Sequence, residues 1–160
     1  MLSTVSALSA QNIGAGKHKR AQQTLQYAII IAIIFGTISS ILIQFTAESA
    51  VSLFSNDKKV IELGGEYISG YIWDCIFAGI HFSFSGYFCA YALSNISFMH
   101  NFISIIFARI PIAWLASKYF TETLFPMGMA APIGSLLSVI ICTIAYIWMK
   151  KHPEKINVEI

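Results

Sequence analysis

Long apolar runs, separated by short polar connections, set the pattern of this chain. Four charge-poor stretches stand out, at roughly 25–46, 67–93, 96–117 and 127–149. Each is long enough to cross a hydrocarbon core of ~30 Å, which takes ~20 helical residues. The pattern predicts an all-α, polytopic membrane protein with four transmembrane helices. It forms a single membrane domain over 1–160, with the lipid bilayer or neighbouring helices around most of its residues.

The polar breaks refine the pattern. Residues 1–10 read as the last turns of a helix, and 11–16 as a turn supplied by Asn12, Gly14 and Gly16. Lys17, His18, Lys19 and Arg20 anchor the entry to the first span at the headgroups. Within that span Ala32, Gly36 and Ser40 fall at i, i+4, i+8, a small-residue stripe that permits close helix contact. Ser55 or Asn56 is expected to cap the next helix. Val60, Leu63, Tyr67 and Tyr71 give that helix an amphipathic first section, with Tyr67, Tyr71 and Trp73 as an aromatic belt. Ser94-Asn95 is expected to turn the chain into the third span, and Pro111 to kink it. Residues 119–125 form an outer connection, with Pro126 just before the fourth span. Ala130, Gly134 and Ser138 repeat the small-residue stripe. The tail, 150–160, is read as polar, loosely ordered and cytoplasmic.

Composition agrees with this environment. Charged residues are 11% of the chain and apolar ones 56%, where soluble domains carry about 25% charge. A net charge of +2 is too small to suggest nucleic acid. Lys17, Lys19 and Arg20 precede the first span, and Lys150, Lys151 and Lys155 follow the last; Lys58, Lys59 and Lys118 lie on the other side. The positive-inside rule then puts both termini in the cytoplasm, and the chain is expected in a bacterial inner membrane. Cys75, Cys89 and Cys142 all fall inside spans, which argues against a disulfide framework. Residues 1–16 lack the basic and apolar regions of a signal peptide. No zinc spacing, P-loop, nucleophile elbow or dinucleotide fingerprint is present, so no enzyme, metal site or cofactor is expected.

Asp74 is the one acid inside a span. An ionised carboxylate at membrane depth is costly and usually functional or paired, so it is the first candidate for binding a proton or a coupling cation. Gly70, Asp74, Ala78, His81 and Ser85 share one face of the second span, small and polar on an otherwise apolar helix, and suited to line a substrate pathway. His81 is the second titratable group there, as a relay candidate. The plainer alternatives are a structural carboxylate near the interface and a packed histidine. Arg109 is the one base inside a span. Counted from a turn at Asn95, Asp74 stands ~30 Å and Arg109 ~20 Å along their helices, too unequal for direct contact. Arg109 is therefore read as an anchor, or as a donor to carbonyls freed by Pro111. Phe82, Phe84, Tyr87, Phe88 and Tyr91 suit packing more than stacking on an organic cation.

The stretch Ala10-Gln11-Asn12-Ile13-Gly14-Ala15-Gly16-Lys17, with Arg20-Ala21, resembles the cytoplasmic loop of multidrug and toxic compound extrusion (MATE) transporters. Leu53-Phe54-Ser55-Asn56-Asp57, Phe84-Ser85-Gly86-Tyr87-Phe88, Arg109-Ile110-Pro111-Ile112-Ala113 and Gly128-Met129-Ala130-Ala131-Pro132 come after it in the family's order. Cys89-Ala90-Tyr91-Ala92 departs from it, lacking the basic, Gly-rich ending often found on the tenth helix. The resemblance implies the end of helix eight and helices nine to twelve of a twelve-helix, two-lobe exporter. Such exporters move organic cations and drugs in exchange for sodium ions or protons. It implies Asp74 as the acidic coupling-ion site of the C-terminal lobe, beside which His81 stands on the same polar face, and a missing N-terminal lobe as partner. Alone, four helices supply half a cavity at most and are expected to be transport-inactive. Two rivals remain: a self-contained exporter in which another copy of the chain completes a shared pathway, and a non-transporting interaction protein or gene remnant.

Overall fold

The computed structural model describes residues 1–152; residues 153–160, which hold most of the expected cytoplasmic tail and Lys155, lie outside it. The described chain is helical, with no strand: α1 (Leu2–Gly14), α2 (His18–Ser52), α3 (Lys58–Tyr71), α4 (Asp74–Ala90), α5 (Ser94–Ser104), a π-helical turn (Ile105–Arg109), α6 (Ile110–Tyr119), α7 (Phe125–Gly128) and α8 (Ala130–Lys151). Three helical stretches are long and apolar enough to cross a membrane: His18–Ser52, Ser94–Tyr119 and Phe125–Lys151. The expected second span, 67–93, is divided at Ile72–Trp73 between the end of α3, a helix of 14 residues that begins at Lys58, and α4, a helix of 17.

That break is tight. The Ile72 N–H bonds the Ile68 carbonyl, and the Cys75 and Ile76 N–H groups bond the carbonyls of Ile72 and Trp73. The i→i+3 pattern of the last two narrows the helix for one turn. It makes Asp74 the first residue of α4, where helix N–H dipoles favour a carboxylate.

α2 and the α3–α4 arm form an antiparallel hairpin. Ser40 Oγ donates to the Ile72 carbonyl at 3.2 Å. A Cβ on Gly36 would come within 2.9 Å of the Ile76 Cα, and one on Gly79 within 2.7 Å of the Ala32 Cβ. The small-residue stripe of the first span is thus the seam along which α4 lies, as its spacing requires. The other side of α2, with Tyr27, Ile31, Phe35, Ile38 and Phe45, is exposed and apolar, a surface suited to lipid.

The apolar core sits at the end where α1, the start of α2, the end of α4 and the end of α8 meet. Val5, Ile13, Leu25, Phe84, Tyr87, Phe88, Cys142 and Met149 pack there. Phe84 and Tyr87 contact Tyr146 at ring separations of 5.8 and 5.7 Å, and Phe82 is exposed. The packing role expected for most of these aromatics therefore holds.

Several local expectations are corrected. Asp57 caps α3, its carboxylate accepting the Lys59 N–H at 2.9 Å, while Ser55 Oγ accepts from the Asp57 N–H. α1 continues to Gly14, and the left-handed residue of the turn is Gly16, at φ 69°. The connection between α4 and α5 is Tyr91–Ala92–Leu93, with Ala92 left-handed at φ 59°, and Ser94 and Asn95 already belong to α5. Pro111 does not bend a continuous α-helix. The π-helical turn before it takes up the irregularity and leaves Pro111 in the first turn of α6, where its missing N–H costs little.

Candidate functional site

The inner face of α4 meets α5, the π-helical turn and α8 in a row of buried polar side chains. Asp74, His81, Ser85, His100, Ser104, Ser135 and Ser138 are all buried. Such groups need partners, because an unpaired polar atom in an apolar surround costs about 1–3 kcal/mol.

At one end, Arg109 Nη2 lies 3.7 Å from Asp74 Oδ1. The same Nη2 donates to Ser135 Oγ at 2.7 Å. Ser135 Oγ also lies 3.4 Å from His81 Nε2, so the hydroxyl that accepts from Arg109 is placed to donate to the imidazole. The His81 and His100 rings meet edge to face at 5.5 Å. His100 Nε2 is 2.7 Å from Ser85 Oγ, and the His100 carbonyl accepts from Ser138 Oγ at 3.3 Å. Ser104 Oγ donates to the Gly134 carbonyl. A polar file therefore runs from Asp74 through Arg109, Ser135 and His81 to His100 and Ser85.

The file is incompletely satisfied. Asp74 Oδ1, His81 Nδ1, His100 Nδ1 and Arg109 Nε are buried without a hydrogen-bond partner. Native interiors leave few such atoms, and each calls for an explanation. Among the described residues no three His, Cys, Asp or Glu side chains come together as a metal ion would need.

The Asp74–Arg109 contact overturns the expectation that these residues stand too far apart. The error lay in the turn. Moving its centre from Asn95 to Ala92 shortens the α4 arm and lengthens the α5 arm by three residues each, closing ~9 Å of offset at 1.5 Å per residue. The expected face is otherwise visible: Asp74, His81 and Ser85 point into the bundle, and Ala78 is half-buried. Gly70 lies against the backbone of α7, where a Cβ would stand 2.6 Å from the Phe125 carbonyl oxygen. Ser135, His100 and the role of Arg109 were missed. Reading Ser94-Asn95 as a helix start, which both residue types favour, would have exposed the pairing.

Away from this file, Ile112, Leu115, Tyr119, Phe125, Met129 and Ile133 line an apolar groove of about 680 Å³ between α6 and the start of α8. Near it, the Glu66 carboxylate accepts from Thr123 Oγ1 at 2.6 Å and from the Leu124 N–H at 2.9 Å, tying α3 to the connection before α7. These two bonds hold the Glu66 carboxyl below its ordinary value of 4.5.

Comparison with known proteins decides the family: the MatE family matches residues 1–115. The chain belongs to it. A relative from Shewanella oneidensis named "FAD transporter" is 32% identical over 135 residues, which cover 83% of this chain and 29% of the relative. The MATE-type chain thus spans less than a third of that relative's length. No solved structure matches it. A multi-pass membrane protein of a transporter family is the class that the fold and the relative share.

Proposed function

We propose that the chain supplies helices nine to twelve of a two-lobe MATE-type exporter. It crosses a bacterial inner membrane four times, the α3–α4 arm being the second crossing, with both termini cytoplasmic. Asp74 takes the coupling ion, a sodium ion or a proton, and His81 relays charge along α4. Gly70, Ala78 and Ser85 belong to the face along which an organic cation or drug passes. Charging or discharging Asp74 changes how α4 packs on α5 and α8, and so biases the lobe between its two states.

The observation that carries this reading is Asp74 itself: a buried carboxylate with an unpartnered oxygen, in contact with a guanidinium and continuous with a file of imidazoles and hydroxyls. Exchange of one small cation for another is what such a carboxylate can do. Because the chain covers only 29% of the Shewanella relative, it is expected to be inactive alone.

The test is a chimera in which this chain replaces the matching segment of the Shewanella transporter. Everted vesicles should then show ion-driven efflux, lost in Asp74→Asn at unchanged membrane insertion. Transport by a cross-linked pair of the isolated chains would favour the self-contained exporter. An Asp74→Asn chimera that transports normally would remove Asp74 from the mechanism, and a chimera that inserts but transports in neither form would put the interaction-protein reading ahead.

The relative's name favours a second substrate reading, a flavin dinucleotide. Its diphosphate needs a base, and Arg109 is the one Lys or Arg within the apolar stretches. Competition of FAD against an organic cation for efflux by the chimera separates the two.

A further inference from the structure

Asp74 is not an open carboxylate. Its nearest charged neighbour is Arg109, which reaches it from the π-helical turn at 3.7 Å. The other titratable groups around it are Tyr71 and Cys75, on either side of the Ile72–Trp73 break. His81 lies two turns further along α4 and meets His100 of α5; α8 contributes the Ser135 hydroxyl.

Arg109 and Asp74 do not form a closed pair. The hydrogen bond of Nη2 goes to Ser135, leaving Asp74 Oδ1 and Arg109 Nε without partners. Planar two-point pairing, the usual strength of an Arg–carboxylate contact, is absent. The guanidinium thus neutralises the carboxylate through space while resting on a neutral hydroxyl. It is also one-third exposed along its side chain, against 9% for Asp74, so it has room to withdraw.

We propose that Arg109 acts as a tethered cation at Asp74: it fills the place of a metal cation when the site is empty, and a free metal cation must displace it. The inference rests on the reading of Asp74 as the cation-handling carboxylate. A sodium ion gathers several oxygens, and the Ser135 hydroxyl is already engaged by Arg109. The tether therefore works against sodium. A proton needs only the carboxylate oxygen and leaves Arg109 where it stands. Arg109 is the residue that selects the ion.

The experiment is equilibrium binding of radioactive sodium to the full chain in lipid nanodiscs, for wild type, Arg109→Gln and Asp74→Asn. Removing a positive charge this close should raise sodium affinity at least about tenfold, even after solvent screening of the exposed arginine. Asp74→Asn should bind none. Where Gln destabilises the bundle, Arg109→Met keeps the apolar stem and should show the same gain. Equal affinity in wild type and Arg109→Gln, lost in Asp74→Asn, overturns the tether but leaves Asp74 as a cation site. No sodium binding in any variant overturns the tether and leaves Asp74 as a proton site only. Sodium binding that Asp74→Asn does not alter overturns the tether together with the reading it rests on.

Discussion

The carboxylate of Asp74 and the guanidinium of Arg109 stand 3.7 Å apart, although each lies on a different side of the turn at Ala92. The turn at Ala92 matches their heights, and each stands at a local irregularity of the backbone. The narrowing at Ile72–Trp73 opens a new helix at Asp74, and the π-helical turn ends at Arg109. A π-helical turn holds an extra residue, which rotates the helix beyond it and re-aims the side chains within it. The pair sits at the two places where charge and backbone irregularity interrupt the apolar pattern.

Gly134 maintains this geometry from α8. A methyl group there would strike the Arg109 side chain. Gly134→Ala should destabilise the bundle by about 1–3 kcal/mol, the usual cost of overpacking. It should also push Arg109 off Ser135. Adding Arg109→Ala removes the atoms in the way, so the double variant should lose much less than the two single losses together. Denaturant titration in mixed micelles measures the cycle, and strictly additive losses would sink the account.

The His100–Ser85 pair is buried at 2.7 Å. Truncation by His100→Ala strands the Ser85 hydroxyl and opens a cavity, and should cost about 1–3 kcal/mol for the unpaired group alone. Pairing His100→Phe with Ser85→Ala removes donor and acceptor together and should be better tolerated than His100→Ala. Thermal unfolding in mixed micelles reads the comparison: a double variant as unstable as His100→Ala would show that this hydrogen bond is not what holds the two helices here.

The periodicities explain how much of this was legible. The stripe Ala32, Gly36, Ser40 reports a close helix crossing whatever the partner, and the partner proved to be α4 through Ile72, Ile76 and Gly79. The polar face of α4 was legible for the same reason: helical spacing puts Asp74, His81 and Ser85 on one side. What spacing does not carry is register between helices. That depends on single turn residues, and Ala92 is an unusual one to sit at φ 59°, a conformation for which glycine or asparagine is the ordinary signal. The Asp74–Arg109 contact was lost with it. The π-helical turn leaves no mark in the apolar pattern beyond the nearby Pro111, and Ser135 reads as one more small residue until Arg109 is placed beside it.

Ala92 itself offers a test. Its left-handed backbone strains a side chain that glycine would not have. Ala92→Gly should stabilise the turn by about 0.5–1 kcal/mol, the relief of Cβ strain exceeding the added freedom of the unfolded chain. Ala92→Val should do the opposite and shift Asp74 and Arg109 relative to each other. A lower midpoint for the glycine variant in thermal unfolding would contradict the left-handed assignment.

Glu66 gives the end of the bundle where α3 meets α7 a pH dependence with a definite sign. Its carboxylate accepts from Thr123 and Leu124, which holds it below 4.5. A depressed carboxyl contributes stability that is complete above its unfolded value and fades as pH falls through the lower, folded one. The link between α3 and the connection before α7 should therefore be intact at neutral pH and loosen only under acid, below 4.5. Glu66→Gln keeps a carbonyl acceptor but loses the charge, so it should bring the acid-loosened behaviour to neutral pH and abolish the acid transition. Hydrogen-exchange protection of the Leu124 amide, corrected for the intrinsic rate at each pH, reads this directly. It should be weak at low pH and strong at neutral pH in wild type, and weak at both in the variant. Strong, pH-independent protection of Leu124 in Glu66→Gln would show that something other than this carboxylate holds the connection.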